Sequence, residues 1–164
     1  VASSGSAYLL LDVAGTTCAL PRGAVAEILP LPDLHTPPAA GGWLTGFLNL
    51  GGAPVPVIDL AALLGLHPAV PAPGVYAHLV LMQGEAVAYL VDRVADLMTV
   101  PESAIRPTEE GGTLNGCVAA ELVLDERLVH ALAPERLLTA QERSRVDALA
   151  RAAAERLAAL PHSA

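Results

Sequence analysis

The sequence predicts a mainly β protein of about nine to ten short strands, with one short internal helix and one helix near its C-terminal end. Three observations carry that expectation. Apolar runs are short and stop at glycine, proline or paired acidic residues, the pattern of strands joined by tight turns. Apolar residues make up 53% of the 164-residue chain and charged ones 16%, ample material for a core. An extended helical stripe appears only in the stretch 140–160.

The opening VASSGS reads as a loose tail over residues 1–6, without the basic and apolar regions of a signal peptide. Ala7 to Val13 (AYLLLDV) and Thr16 to Leu20 (TTCAL) flank Ala14-Gly15 and predict a hairpin. Val25 to Leu31 (VAEILPL) predicts a third strand, at an edge or half-buried, because Glu27 interrupts its apolar run. Residues 32–42 predict a loop stiffened by Pro37-Pro38.

Trp43 to Leu50 and Pro54 to Ile58 then flank Gly51-Gly52-Ala53, a second hairpin whose glycines supply positive φ. Pro54 and Pro56 lack N–H donors on one side of their strand and suit an edge or a strand start. Asp59 is placed to cap a short helix over LAALL that stops at Gly65.

The Pro-rich segment 67–74 predicts the boundary between two halves, each a small closed or nearly closed sheet. Tyr76 to Gln83 and Ala86 to Asp92 form a hairpin around Gly84-Glu85, and Val94 to Val100 continues as a strand. Residues 101–107 read as a turn region. Gly116 to Leu124 and Arg127 to Leu132 flank Asp125-Glu126 as a further hairpin, and Pro134 to Leu138 reads as one helical turn. Thr139 with Glu142 matches a capping box for a helix over 140–160. Val146, Ala150, Ala153, Leu157 and Leu160 form its apolar stripe, expected to dock on the sheets, with a small helix–helix contact to another chain as the alternative. Pro161 after this helix suggests a natural end.

No formal charge occurs from Leu34 to Ile58. That run exceeds the roughly 20 apolar residues a membrane span needs. Its four prolines and five glycines could not satisfy a lipid-exposed backbone, so it predicts core strands and turns rather than a span. The net charge of −8, with arginine as the sole cation besides histidine, excludes a basic surface for nucleic acid or anionic lipid.

The residue inventory offers no reaction. The five histidines form no HExxH or His/Cys cluster, and serine occurs in no GxSxG elbow. Glycine pairs at 41–42, 51–52 and 111–112 lack phosphate-loop spacing. Cys18 and Cys117 read as small buried hydrophobes, with a Cys18–His78 dyad as the catalytic alternative. Adjacent carboxylates at 109–110 and 125–126 read as solvated turn charge. The expectation is a non-enzyme without metal or cofactor that binds through shaped apolar surfaces.

The order of blocks AYLLLDV, ALPRGAVAEIL, LTGFLNLGGAPVPVIDLAALLG, AVAYLVDRVADLMTV, AIRP and ELVLDERLVHALAPERLL resembles the CheW-like family of bacterial chemosensory coupling proteins, from about Ala7 to Val146. The resemblance implies two SH3-like five-stranded β-barrels over 7–138, divided near 67–74 and able to exchange strands, followed by the helix at 139–160. It implies a cytoplasmic adaptor at membrane-associated arrays, joining a chemoreceptor's cytoplasmic tip to the regulatory domain of a CheA-type histidine kinase. The alternative is a CheW-like regulatory fragment of a larger CheA- or CheV-like protein.

By the same resemblance, Val25, Glu27 and Ile28 match a V-x-E-I/V segment near the receptor groove. Gly46, Asn49, Leu50, Gly51 and Gly52 match the G-x-x-N-L-R-G turn. For Val25 and Ile28, barrel core is an equally open role. The family's Arg is here Gly51. Gly51 cannot pair with a carboxylate, which leaves open a substitute group, a variant array or a different partner.

Overall fold

The structure, a computed structural model, describes residues 5–34, 43–66, 76–108 and 116–159. The strands are β1 (Gly5–Val13), β2 (Thr16–Pro21), β3 (Val25–Pro30), β4 (Leu44–Leu50), β5 (Ala53–Asp59), β6 (His78–Met82), β7 (Ala88–Val91), β8 (Arg93–Pro101), β9 (Ile105–Pro107), β10 (Val118–Leu124) and β11 (Arg127–Leu132). The helices are α1 (Leu60–Leu63) and α2 (Ala140–Ala159). The expected mainly β architecture with one short internal and one C-terminal helix is what forms. No helix among the described residues is long and apolar enough to cross a membrane.

Two sheets carry the fold. One has six strands in the order β8-β1-β2-β11-β10-β9, and the other has five in the order β3-β6-β7-β5-β4. The first sheet ends on β8 and β9, which are separated in sequence only by the 3-10 turn Glu102–Ala104, so its two edges must lie near each other and the sheet curls. In the second sheet one apolar cluster takes Leu29 from one edge strand and Leu48 from the other, so it too wraps around a single interior.

Three expectations change. The strand β1 begins at Gly5, so Gly5 and Ser6 are not tail; they pair with Pro101 and Val100. Residues 105–107 are not turn but strand β9, held to β10. The expected divide at 67–74 lies outside the described residues, and strands from either side of it are exchanged between the sheets: β1 and β2 share a sheet with β8–β11, while β3 to β7 form the other. The chain crosses twice: β3 follows β2 but edges the second sheet, and β8 follows β7 but edges the first. The first sheet consequently has six strands rather than five.

Three apolar interiors explain the uninterrupted hydrophobic runs. Leu9, Leu11 and Val13 enter a core shared by both sheets, whereas Leu10 and Tyr8 enter the interior of the first. Likewise Val80, Met82, Tyr89 and Val91 face the shared core, and Leu79, Leu81, Ala88 and Leu90 face the interior of the second. Strands buried on both faces read as continuous runs instead of alternating. Each such Leu or Val contributes about 1.5–3 kcal/mol relative to exposure.

Local signals hold the turns and caps. Ala14 and Gly15 have φ of 49° and 81°, and Gly51 and Gly52 have 62° and 90°, so two-residue turns close both hairpins and Ala53 belongs to β5. Asp59 Oδ1 accepts the Ala61 amide at 3.1 Å, and the α1 C-terminus closes with Gly65 N–H to Ala62 O at 3.2 Å and Leu66 N–H to Ala61 O at 2.8 Å. At α2, the Thr139 N–H donates to Glu142 at 2.8 Å and the Glu142 N–H to Thr139 Oγ1 at 3.1 Å.

The helix α2 lies on this chain's own hairpin. Ala153 packs with Leu44 and Phe47, while Trp43, Leu149 and Ala150 complete that cluster. Val146 enters the shared core, and Leu157 is half-buried. Leu160, expected in the stripe, lies outside the described residues.

Candidate partner-binding surface

The strand β3 is an edge of the second sheet, and its register contains a one-residue bulge. Val25 pairs with Met82, Glu27 with Leu81 and Ile28 with Val80, leaving Ala26 as the extra residue. Cross-strand partners point to the same face of a sheet. Val25 and Ile28 therefore share the face of Met82 and Val80, toward the shared core, while Glu27 lies on the opposite face with Leu29. Simple alternation would have put Val25 with Glu27; the bulge reverses it.

Burial separates these residues further. Val25 is 4% exposed and belongs to the shared core, so its part is packing. Ile28 is 37% exposed, on the margin of the core between the two sheets, and Glu27 is exposed. A partner touching β3 meets Ile28 on one face and Glu27 on the other.

The β4–β5 hairpin brings the second group together. A bulge at Thr45 places Leu44 opposite Ile58 and Gly46 opposite Val57. Gly46 is buried and faces the interior of its sheet with Leu48. Asn49 is exposed, and its Oδ1 accepts the Gly52 amide at 2.9 Å, bracing the turn. Leu50 is 44% exposed at the hairpin tip. A Cβ added at Gly51 or Gly52 meets nothing within 4 Å among the described residues, so the turn faces open space there. Ile28 and Leu50 sit on the two edge strands of the hydrogen-bonded order, so the named residues lie on β3 and on the β4–β5 tip.

The prolines of β5 explain their own positions. Leu50 and Ala53 close a two-residue hairpin and exchange backbone bonds, so Val55 bonds Leu48 and the nitrogens of Pro54 and Pro56 turn away from β4. β5 is not an edge strand in the sheet order; of the two expected placements the strand start is the one that forms, since β5 begins at Ala53. However, β7 pairs only with Val57 to Asp59, leaving the proline half open. The helix α2 lies across that gap, with Ala150 and Arg151 facing Pro54 and Pro56 across a shallow cleft.

Some features escaped the sequence reading. Tyr76, just ahead of β6, Leu97 on β8 and Leu128 on β11 are exposed large apolar side chains. Nothing in the sequence pattern marked them, because an exposed apolar residue reads the same as a buried one. Asp92 and Arg93 lie at the crossing from β7 to β8. Asp92 accepts the Ala14 amide at 2.8 Å, and Arg93 pairs with Asp12 at 2.9 Å. The DRV stretch is thus the joint between sheets.

The thiols do not serve nucleophilic chemistry. Cys18 lies in the shared core opposite His130, not His78, and burial, helped by Asp12, pushes its pKa up to about 12. Burial also raises the Cys117 thiol. A thiol nucleophile acts as thiolate, and these sites oppose ionisation. Burial raises Tyr89 as well.

Comparison with known proteins agrees with this architecture. Residues 7–142 match the CheW-like domain family. A probable chemotaxis protein CheW from Rhizobium etli is 35% identical over 121 residues, covering 73% of this chain and 78% of that protein. Chemotaxis protein CheW from Rhizobium meliloti is 33% identical over 87 residues, 53% of this chain and 56% of that protein. The crystal structure of the scaffolding protein TtCheW from Thermoanaerobacter tengcongensis superposes with a TM-score of 0.74 at 18% identity, covering 86% of this chain and 92% of that one. With the curled pair of sheets, the shared core and a family match across most of its length, the chain belongs to the CheW-like domain family.

Proposed function

We propose that this chain is a non-catalytic adaptor of bacterial chemosensory signalling that couples a chemoreceptor to a CheA-type histidine kinase. The observation that carries this reading is the CheW-like match over residues 7–142, joined by relatives named as chemotaxis proteins. The reading places the protein in the cytoplasm at membrane-associated arrays, recruited by its partners.

The contact residues of this reading are Glu27 and Ile28 on β3, and Asn49, Leu50, Gly51 and Gly52 on the β4–β5 turn. Exposure of Ile28 and Leu50 supports it, because large apolar side chains left in water on a rigid scaffold are suited to a partner. Val25 and Gly46, both buried, act by holding those strands in place.

A variant receptor, or another array component in its place, is favoured by one observation. Gly51 leaves the turn without the family's guanidinium and with empty space around it. The deciding experiment is a pull-down of a CheA regulatory domain and, separately, of receptor cytoplasmic tips. Binding of the kinase domain at micromolar concentration is expected. Absence of any association at tens of micromolar overturns the adaptor reading.

A further inference from the structure

The helix α2 is held unevenly along its length. Its beginning is fixed three times: by the reciprocal Thr139–Glu142 bonds, by the Arg143–Glu85 ion pair, and by Val146 in the shared core. Beyond Val146 only Ala153 is buried. Among the described residues, no side-chain hydrogen bond or ion pair ties 147–159 to either sheet. The contact there is made by Leu149, Ala150 and Ala153, two of them alanines with little surface to bury, and Leu157 is half-buried.

What this lightly held half covers is well defined. Leu44 and Phe47 are buried beneath it, beside the half-buried Trp43. The register puts Phe47 and Asn49 on one face of β4, with Pro56 and Pro54 opposite them. The covered face therefore runs directly into the turn at Gly51-Gly52. No further strand can close the open half of β5, since both prolines lack donors there. A helix packing side-on needs none.

We propose that the second half of α2, Ala150 to Ala159, is a releasable strap on the outer face of the β4–β5 hairpin. Docked, it restricts how closely a partner protein can approach the hairpin tip; lifted, it uncovers Trp43, Leu44 and Phe47 for contact. The proposal rests on the adaptor reading for the identity of that partner, the kinase regulatory domain. Segments with few buried contacts open at a small fraction of the global unfolding free energy, which makes such a strap accessible without unfolding the sheets.

The test uses the full chain and Trp43, its single tryptophan. In the wild type, amides of 150–159 are expected to exchange at least about a hundredfold faster than those of β1 and β2. Ala153→Glu is expected to speed that exchange further and shift Trp43 emission to the red, with β1 and β2 unchanged. It is also expected to tighten binding to the kinase domain about tenfold, by removing the closed population. Ala150→Glu, on the same helix face, provides the same test should Ala153→Glu misfold. Helix amides as protected as β1, or Trp43 emission unmoved by both variants, overturn the strap. So does binding that is unchanged or weaker once the helix is released. Failure of wild type and variants alike to bind the kinase domain overturns the adaptor reading instead, while exchange still decides release.

Discussion

Asp92 Oδ2 accepts the Ala14 backbone amide at 2.8 Å, joining residues 78 positions apart. Ala14 is in the turn of the first hairpin, and Asp92 is at the crossing where the chain leaves one sheet for the other. Beside it the Asp92 amide donates to the Asp12 carbonyl at 3.0 Å, and Arg93 pairs with the Asp12 carboxylate. The contact is exposed, so its energetic weight is modest, but it spans the joint on which the relative placement of the two sheets depends.

Asp92→Ala is expected to lower stability by about 1 kcal/mol, the net value of a hydrogen bond accepted by a charged group at a surface. Ala14, with φ of 49°, is an L-residue in the left-handed region. Ala14→Asn is expected to stabilise by roughly 0.5 kcal/mol, since Asn tolerates that region better. Urea unfolding of both variants checks the pair, and destabilisation by Ala14→Asn contradicts the turn assignment.

Ile28→Asp is expected to cost less than about 1 kcal/mol of stability, because the side chain is already partly in water. It is expected to weaken binding to the kinase domain or receptor tip about tenfold, and unchanged binding removes Ile28 from the contact. Val25→Ala removes buried methyl groups three residues away and is expected to cost about 2 kcal/mol, with binding altered only as folding is lost. Thermal melts with titrations of both variants distinguish contact from packing.

Gly51→Arg introduces the side chain that the family resemblance implies at this turn. No neighbour obstructs it, but φ of 62° is unfavourable for an L-residue and is expected to cost about 1–2 kcal/mol. The fold should persist with a melting temperature lower by several degrees. Tighter binding to a conventional receptor tip is the expected gain, measured by co-sedimentation with receptor arrays. Gly51→Asn should show a smaller stability loss without the gain in binding.

Cys18 makes stability depend on alkaline pH. Its folded pKa of about 12 lies above the ordinary 9.0, so the native state retains a proton that the unfolded chain releases. The thiol's contribution is complete below pH 9 and is lost as pH climbs toward 12. Between those limits the slope approaches about −1.4 kcal/mol per pH unit from this group. Chemical unfolding between neutral pH and pH 10.5 should show the fall, and Cys18→Ala should make it shallower, the remainder coming from Cys117 and Tyr89, which burial also raises. Alkylation of Cys18 at pH 8 should require denaturant.

Sequence by itself determined the short-range structure. The Ala14-Gly15 and Gly51-Gly52 turns, the Asp59 and Gly65 caps and the Thr139–Glu142 box were all legible, because each depends on residues within about one turn of chain. The resemblance to CheW-like proteins was legible too, through blocks that preserve strand order. Tertiary structure alone decided which strands share a sheet. β2 finds β11, and β5 finds β7, through parallel pairings between distant segments that no local propensity encodes. It also decided which way the candidate contacts point. Bulges at Ala26 and Thr45 each shift the alternation by one residue, so Val25 shares a face with Ile28 rather than Glu27, while Leu44 and Phe47 turn together under α2. In strands buried on both faces hydrophobicity carries no parity, and only the ladder register supplies it.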